Sequence, residues 1–367
     1  MRALAPKSWL YIESFCNECI DRRVVIATAP IPALECLAAL GIAAAFVSAG
    51  LIVLLRPILV RYALARPNAR SSHREPTPQG GGIAVISAVI LVIAGLMLAA
   101  PTALREPLHL AILFGATCGL AVVGAIDDVR PLSATLRLVL QFAAVAVVVA
   151  ALPVDLRAVP QLPWWLERGA FVIGGVWFVN LVNFMDGIDW ITVAEVAPIT
   201  AALTIFGSIG ALPFDAIFVA VALFGGVIGF APFNRPVARL FLGDVGSLPI
   251  GLLLTWLLIM LAGRGHLSAA VLLPLYYLID STVTLLRRFA RGEPLMKAHR
   301  CHFYQRALDN GFTVPEVVAR VFLVNLILIG LAAVTLVQES KVVHLVALAT
   351  GCVVVVVLLI NLSRKKQ

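Results

Sequence analysis

The sequence is short of charge. Asp, Glu, Lys and Arg make up 13% of its 367 residues, against roughly 25% in an average soluble domain. That deficit excludes a soluble globule, and a hydrophobic content of 61% with a mean hydropathy of +1.00 excludes a disordered chain. The apolar stretches also lack the apolar/polar alternation of outer-membrane strands, which excludes a transmembrane β-barrel. Cysteine is sparse. Cys16 and Cys19 form one CxxC, with no second CxxC and no nearby His to complete a zinc or redox site. Cys36, Cys118 and Cys352 sit inside apolar runs and are expected to be packing residues. The first 35 residues lack the apolar core and small-residue cleavage site of a secretory signal. They read either as translation from a start placed too early or as a short interfacial helix, although Arg22 and Arg23 suit the outer face poorly.

What the chain has in quantity is long apolar segments. Windows almost free of charge fall near 36–59, 82–100, 108–126, 134–153, 169–185, 190–211, 216–234, 247–262, 267–286, 316–337 and 342–361. Each approaches the roughly 20 residues that a helix needs to cross the hydrocarbon core. The fold class is therefore all-α, a polytopic membrane protein of about eleven transmembrane helices, with its surroundings a lipid bilayer. Lys and Arg concentrate in the joints after odd-numbered spans and in the SRKKQ tail at 363–367. By the positive-inside rule those joints and the C-terminus are cytoplasmic and the N-terminus is outside. The net charge of +8 is then a topology signal and does not point to nucleic acid.

The joints after spans 1, 3, 5, 7 and 9 hold SSHREPTPQGGG (71–82), DDVRPLS (127–133), NLVNFMDGID (180–189), FLGDVGS (241–247) and RRFARGEPLMKAHRCHFYQR (287–306). Parity alone puts all five on one membrane face. Asp127, Asp128, Asp186, Asp189 and Asp244 are thus gathered with a His/Arg segment in a chain that carries few acids. Carboxylates so placed repel one another and call for a cation. Hard oxygen ligands favour Mg²⁺, with Mn²⁺ the alternative, and a magnesium ion held by one or two carboxylates completes its shell with water and substrate phosphate. The pattern predicts a phosphate-bearing substrate.

Each segment also has a plainer reading. Asp127 and Asp128 would suit the cap of the helix starting near Ala134. Asn180, Asn183 and Asp186 share one helical face and would suit a polar stripe between helices. Gly80 to Gly82 serve either as a turn or as a ligand-facing loop, Asp244 lies in a fragment compatible with a tight turn, and the HRCH segment reads as a solvated basic loop or as a diphosphate-binding one. Asp280, inside span 9, is an intramembrane acid and so a functional candidate. It reads as a support pairing with a neighbouring helix or as a direct participant.

In this order, from residue 36 onward, the motifs resemble those of the polyprenyl-phosphate N-acetylhexosamine-1-phosphate transferases, members of glycosyltransferase family 4. The resemblance implies an enzyme of class EC 2.7.8 in the bacterial inner membrane, with its site on the cytoplasmic face. It would transfer N-acetylhexosamine 1-phosphate from a UDP-sugar to undecaprenyl phosphate and release UMP. Residues 36–362 would form the transferase domain. By position, Asp127 and Asp128 match the paired catalytic aspartates and Asp244 the magnesium ligand. Asn183, Asp186 and Asp189 match the nucleotide-site segment, Phe241 the aromatic that stacks on uracil, and His299, Arg300 and His302 the loop on the sugar-diphosphate side. His73 matches the first-loop motif. The oligomeric state is left between monomer and homodimer.

The chain departs from the family at Trp190, where a glycine is usual, at Ala65, where many relatives have aspartate, and at Gln79, where a basic residue is frequent. HRCH also lacks the three consecutive histidines of the phospho-N-acetylmuramoyl-pentapeptide transferases. That last departure favours the branch that starts O-antigen or other surface polysaccharides, with the pentapeptide transferase as the alternative and a proton- or cation-coupled secondary transporter as the competing class.

Overall fold

A computed structural model describes residues 34–65, 76–294 and 299–366. Cys16, Cys19, Arg22, Arg23 and His73 lie outside the described residues. Thirteen helices are described: α1 (Leu34–Tyr62), α2 (Gly81–Ala99), α3 (Pro107–Val129), α4 (Ala134–Ala150), α5 (Trp164–Met185), α6 (Ile191–Ser208), α7 (Phe214–Phe230), α8 (Asp244–Gly263), α9 (Leu267–Leu272), α10 (Leu275–Ala290), α11 (Phe303–Asp309), α12 (Val314–Val337) and α13 (Lys341–Ser363). Eight of them, α1, α2, α3, α5, α6, α8, α12 and α13, are long and apolar enough to cross a membrane, and α4 and α7 are apolar helices of 17 residues each. The protein is an all-helical, multi-pass membrane protein.

Every apolar window read from the sequence falls on helix, but the ninth is not one continuous segment. Pro274 divides it into α9 and α10. Proline offers no N–H to the preceding turn and its ring clashes there, so the chain breaks between Leu272 and Leu275. Beyond the break α10 is amphipathic and ends on Arg287 and Arg288.

The centre of the bundle is α8. Its apolar window is wholly enclosed, packed by α2, α3, α5 and α9, as expected of a helix that is apolar on all sides. Outer helices such as α1, α3 and α13 expose most of their apolar surface, for example Leu54, Val122 and Val357. This lipid-facing surface explains a difference from the expectation for the cysteines: Cys36, Cys118 and Cys352 are exposed and do not pack the interior. An apolar run supplies residues for both faces of an outer helix, and these three fall on the outward one.

The first and seventh joints are bound together by backbone. Strands β1 (Leu64–Ala65) and β2 (Thr77–Pro78) pair antiparallel, and the chain after β2 bonds to the segment before α8. Phe241 donates its N–H to the Pro78 carbonyl, and Gly81 and Gly82 donate theirs to the carbonyls of Phe241 and Leu242, each at 2.9 Å. A Cβ on Gly82 would overlap the Cα of Gly246. The GGG run is thus a turn into α2 that admits the start of α8 at backbone contact.

Candidate active site

Two acids end α3. A carboxylate in the last turn of a helix faces the negative end of its dipole, an unfavourable placement of roughly 0.3–1 kcal/mol, so each needs compensation from elsewhere. Asp128 finds it at the positive end of α8: its Oδ1 accepts from the Asp244 N–H at 2.9 Å and its Oδ2 from the Val245 N–H at 3.1 Å. Asp127 accepts from the Leu132 N–H at 2.7 Å and from Arg137 Nη1 at 2.6 Å. The helix that begins near Ala134 has its own cap, Ser133, whose hydroxyl accepts from the Leu136 N–H. The acid pair therefore caps α8 and binds Arg137, and does not cap α4.

Arg137 joins the two acidic motifs. The Nη1 that bonds Asp127 also donates to Asp244 Oδ2 at 3.2 Å. On the other side Asn183, in the last turn of α5, donates through Nδ2 to Asp244 Oδ1 at 2.8 Å and to Ser247 Oγ at 2.9 Å. Asp244 is thus held by an amide and a guanidinium at the mouth of α8, with its side chain 24% exposed. Gln79 closes the rim by donating to the Asp128 carbonyl at 2.7 Å.

The loop after α5 supplies the other two acids. Asp186 accepts from the Thr192 hydroxyl at 2.5 Å, and Asp189 accepts from the Ala238 N–H at 2.9 Å. Burial pushes the Asp186 carboxyl up to about 7, the charges of Asp128 and Asp189 add to the rise, and the Thr192 hydrogen bond opposes it. Trp190, at φ 63°, donates its backbone N–H to Asn234 Oδ1 and its indole N–H to the Ala231 carbonyl. These two bonds hold a bulky residue in a left-handed conformation that suits glycine better.

The result is one cavity of about 210 Å³ at one end of the bundle. Asp128, Asn183, Asp186, Asp189, Phe241 and Asp244, drawn from three separate joints, line it, and Gln79 adds the first joint. Asp127 reaches it through Arg137. His299, Arg300 and His302 are not among the lining residues. Phe184 lies 6.4 and 6.3 Å, centroid to centroid, from the His299 and His302 rings, so these two histidines sit behind the Asn183–Asp189 loop. Arg300 pairs with Asp309 at 3.5 Å. Asp280 pairs with His302, so it supports the histidine loop.

The carboxylates of Asp128, Asp186 and Asp244 that line the cavity present hard oxygens, which fits Mg²⁺ or Mn²⁺. Among the described residues no three acidic, His or Cys side chains converge as a complete metal site. Such a donor set suits a cation that takes one or two carboxylates from the protein and the rest from phosphate and water.

Three residues of this site carry no motif and escape sequence reading: Arg137, Asn234 and Thr192. Arg137 is a lone charge one turn into the apolar helix α4, ten residues after Asp127.

The match to known proteins runs through the same residues. Residues 110–262 match the family described as Glycosyl transferase family 4. The "Probable undecaprenyl-phosphate N-acetylglucosaminyl 1-phosphate transferase" of Bacillus subtilis is 26% identical over 295 positions, covering 75% of this chain and 79% of that protein. The "Decaprenyl-phosphate N-acetylglucosaminephosphotransferase" of Mycolicibacterium smegmatis is 27% identical over 387 aligned positions, 94% and 93% of the two chains. The "Phospho-N-acetylmuramoyl-pentapeptide-transferase" of Enterococcus faecalis is 35% identical over 134 positions, 36% of this chain and 40% of that one. The acid pair, the asparagine-aspartate loop and the Asp244 turn all lie inside the matched segment, so over residues 110–262 this chain is similar to glycosyl transferase family 4.

Proposed function

We propose that the protein transfers N-acetylglucosamine 1-phosphate from UDP-N-acetylglucosamine to undecaprenyl phosphate, releasing UMP and starting a surface polysaccharide such as O-antigen. The observation that carries this reading is the convergence of polar residues from four separate joints on one cavity, in a chain otherwise almost bare of charge. Relatives aligned over most of this chain are named for transfer of N-acetylglucosamine phosphate to a polyprenyl phosphate. The pentapeptide transferase matches over a shorter segment.

In this reading α9 and α10 together make the ninth of eleven crossings. The cavity faces the cytoplasm, as do the basic joints, and the N-terminus is outside. A lipid phosphate at the interface and a soluble nucleotide sugar both reach helix ends on that face. Acids gathered at helix ends also suit a transferase better than a transporter, whose sites lie near the bilayer midplane.

The protein's task is positioning and neutralisation of charge on the transferring phosphoryl group. Asn183, Asp186 and Asp189 line the nucleotide-sugar side, and Phe241 offers a ring for the base. Asp244, steadied by Asn183, would hold the divalent cation, which would supply neutralisation of negative charge on the diphosphate. Asp127 and Arg137 face the lipid phosphate: the guanidinium exchanges one carboxylate for a phosphate oxygen, which leaves Asp127 to take a residual proton. That phosphate has a second pKa near 6 and is largely ionised at pH 7, so proton removal contributes less than placement. Asp128 fixes the end of α8 from which Asp244 projects. The oxygen of the lipid phosphate attacks the β-phosphorus, the bond to the α-phosphate oxygen breaks, and UMP leaves.

The test is the lipid product. Purified protein incubated with undecaprenyl phosphate and a panel of UDP-sugars should yield undecaprenyl diphosphate N-acetylglucosamine by mass spectrometry. A product formed only from UDP-N-acetylmuramoyl-pentapeptide would move the protein to the other branch, and substrate flux in proteoliposomes without UMP would make it a transporter.

A further inference from the structure

Asp280 is an acid with no exposed surface, in the amphipathic helix α10, and it has more donors than a structural pairing needs. Its Oδ1 lies 3.3 Å from His302 Nδ1 and accepts from the Phe303 N–H at 3.2 Å and from the Thr284 hydroxyl at 3.3 Å. The Tyr276 hydroxyl donates to Oδ2 at 3.3 Å. Two of the four donors lie on its own helix and two lie at the start of α11, so the carboxylate fixes where α11 begins. Arg287, also on α10, adds a second tie by stacking its guanidinium over the Phe303 ring at 4.7 Å.

From that anchor α11 reaches the cavity wall. Tyr304, fully buried, donates its hydroxyl to the Phe184 carbonyl at 3.0 Å. A Cβ on Gly187 would overlap that hydroxyl and press on the Gln305 amide. Phe184 and Gly187 bracket Asp186, and Gly187 itself lines the cavity. The opposite wall, with Asp128 and Asp244, is held by α3 and α8, whereas α11 packs on α12 and α13.

We propose that Asp280 is a positioning residue for nucleotide-sugar binding: through His302, Phe303 and Tyr304 it sets the Phe184–Gly187 turn, and it acts on one wall of the cavity only. This rests on the reading that the Asn183–Asp189 loop receives the UDP-sugar. A general structural role would disturb both substrates alike. A positioning role through α11 separates them.

The experiment is steady-state UMP release by the full-length protein, varying UDP-N-acetylglucosamine and undecaprenyl phosphate in turn. For Asp280→Ala the KM for the nucleotide sugar rises about tenfold or more, the scale of a lost hydrogen bond to a charged group, while the KM for the lipid phosphate stays within about twofold. Asp280→Asn keeps an acceptor oxygen for His302, Phe303 and Thr284 and restores most of the affinity. Tyr304→Phe removes one hydroxyl beyond the anchor and raises the nucleotide-sugar KM alone, and it carries the test if Asp280→Ala does not fold. Equal rises for both substrates, or an Asn variant as impaired as Ala, overturn the proposal. A wild-type protein inert toward every UDP-sugar overturns the functional reading and this proposal with it. An active wild type whose variants fail to separate the two substrates overturns only the positioning.

Discussion

The carboxylate of Asp128, at the end of α3, accepts hydrogen bonds from the backbone N–H groups of Asp244 and Val245, at the start of α8. Two motifs 116 residues apart in the chain are thus one structural unit. Asp128→Ala should cost about 1 kcal/mol of stability as a lost cap. It should also slow UMP release by about 100-fold, the scale of a displacement of about 1 Å at a reacting centre. Asp128→Asn retains one acceptor and should lose less of both. Thermal unfolding in detergent beside the UMP assay checks the two effects; an Ala variant with a normal melting temperature and normal rate would contradict the cap.

Arg137 bonds Asp127 and Asp244 through one nitrogen, so it competes with a cation for Asp244. Arg137→Ala should lower the Mg²⁺ concentration for half-maximal activity while reducing turnover by about tenfold or more, since a phosphate-facing charge is lost. Arg137→Lys should recover part of the turnover. An Ala variant that needs more Mg²⁺ would show that Arg137 supports the cation and does not exclude it.

Asp186 should make stability depend on pH in a definite direction. Its folded-state value, about 7, lies above the ordinary carboxyl value of 3.8. Between those values the folded chain binds more protons than the unfolded one, so this group's contribution falls as pH rises through that window and levels off above about 7. Asp186→Asn, which resembles the protonated acid, should therefore gain melting temperature relative to wild type from pH 4 to 7. A difference that shrinks over that range would contradict the burial argument.

Much of the site was legible because the chain is so poor in charge: an acid such as Asp186 or Asp244 at the end of an apolar window stands out, and Asn183 lies one helical turn before Asp186. Arg137 was not legible, because it sits inside a window that reads as a span. The tie from His302 to Asp280 was hidden too, since it depends on where α10 turns after Pro274. That break is hidden in the sequence for a related reason. Residues 267–286 are apolar enough to read as one helix, and the break falls at Pro274. Apolarity likewise cannot separate a lipid-facing cysteine from a packed one.

Removing charge at the cavity should stop the chemistry without disturbing the membrane fold, because the apolar spans are untouched. Asp127→Asn should release no UMP yet insert and purify like wild type, and EDTA should stop the wild-type reaction until Mg²⁺ is returned. Full turnover in metal-free buffer would remove the cation from the account.

The most direct test of the central claim is UMP release from UDP-N-acetylglucosamine by purified protein, with and without undecaprenyl phosphate, for wild type and Asp244→Asn. The account predicts UMP from the wild type only when the lipid phosphate is present, and none from Asp244→Asn in either case. UMP formed without the lipid, or at the wild-type rate by Asp244→Asn, would contradict it.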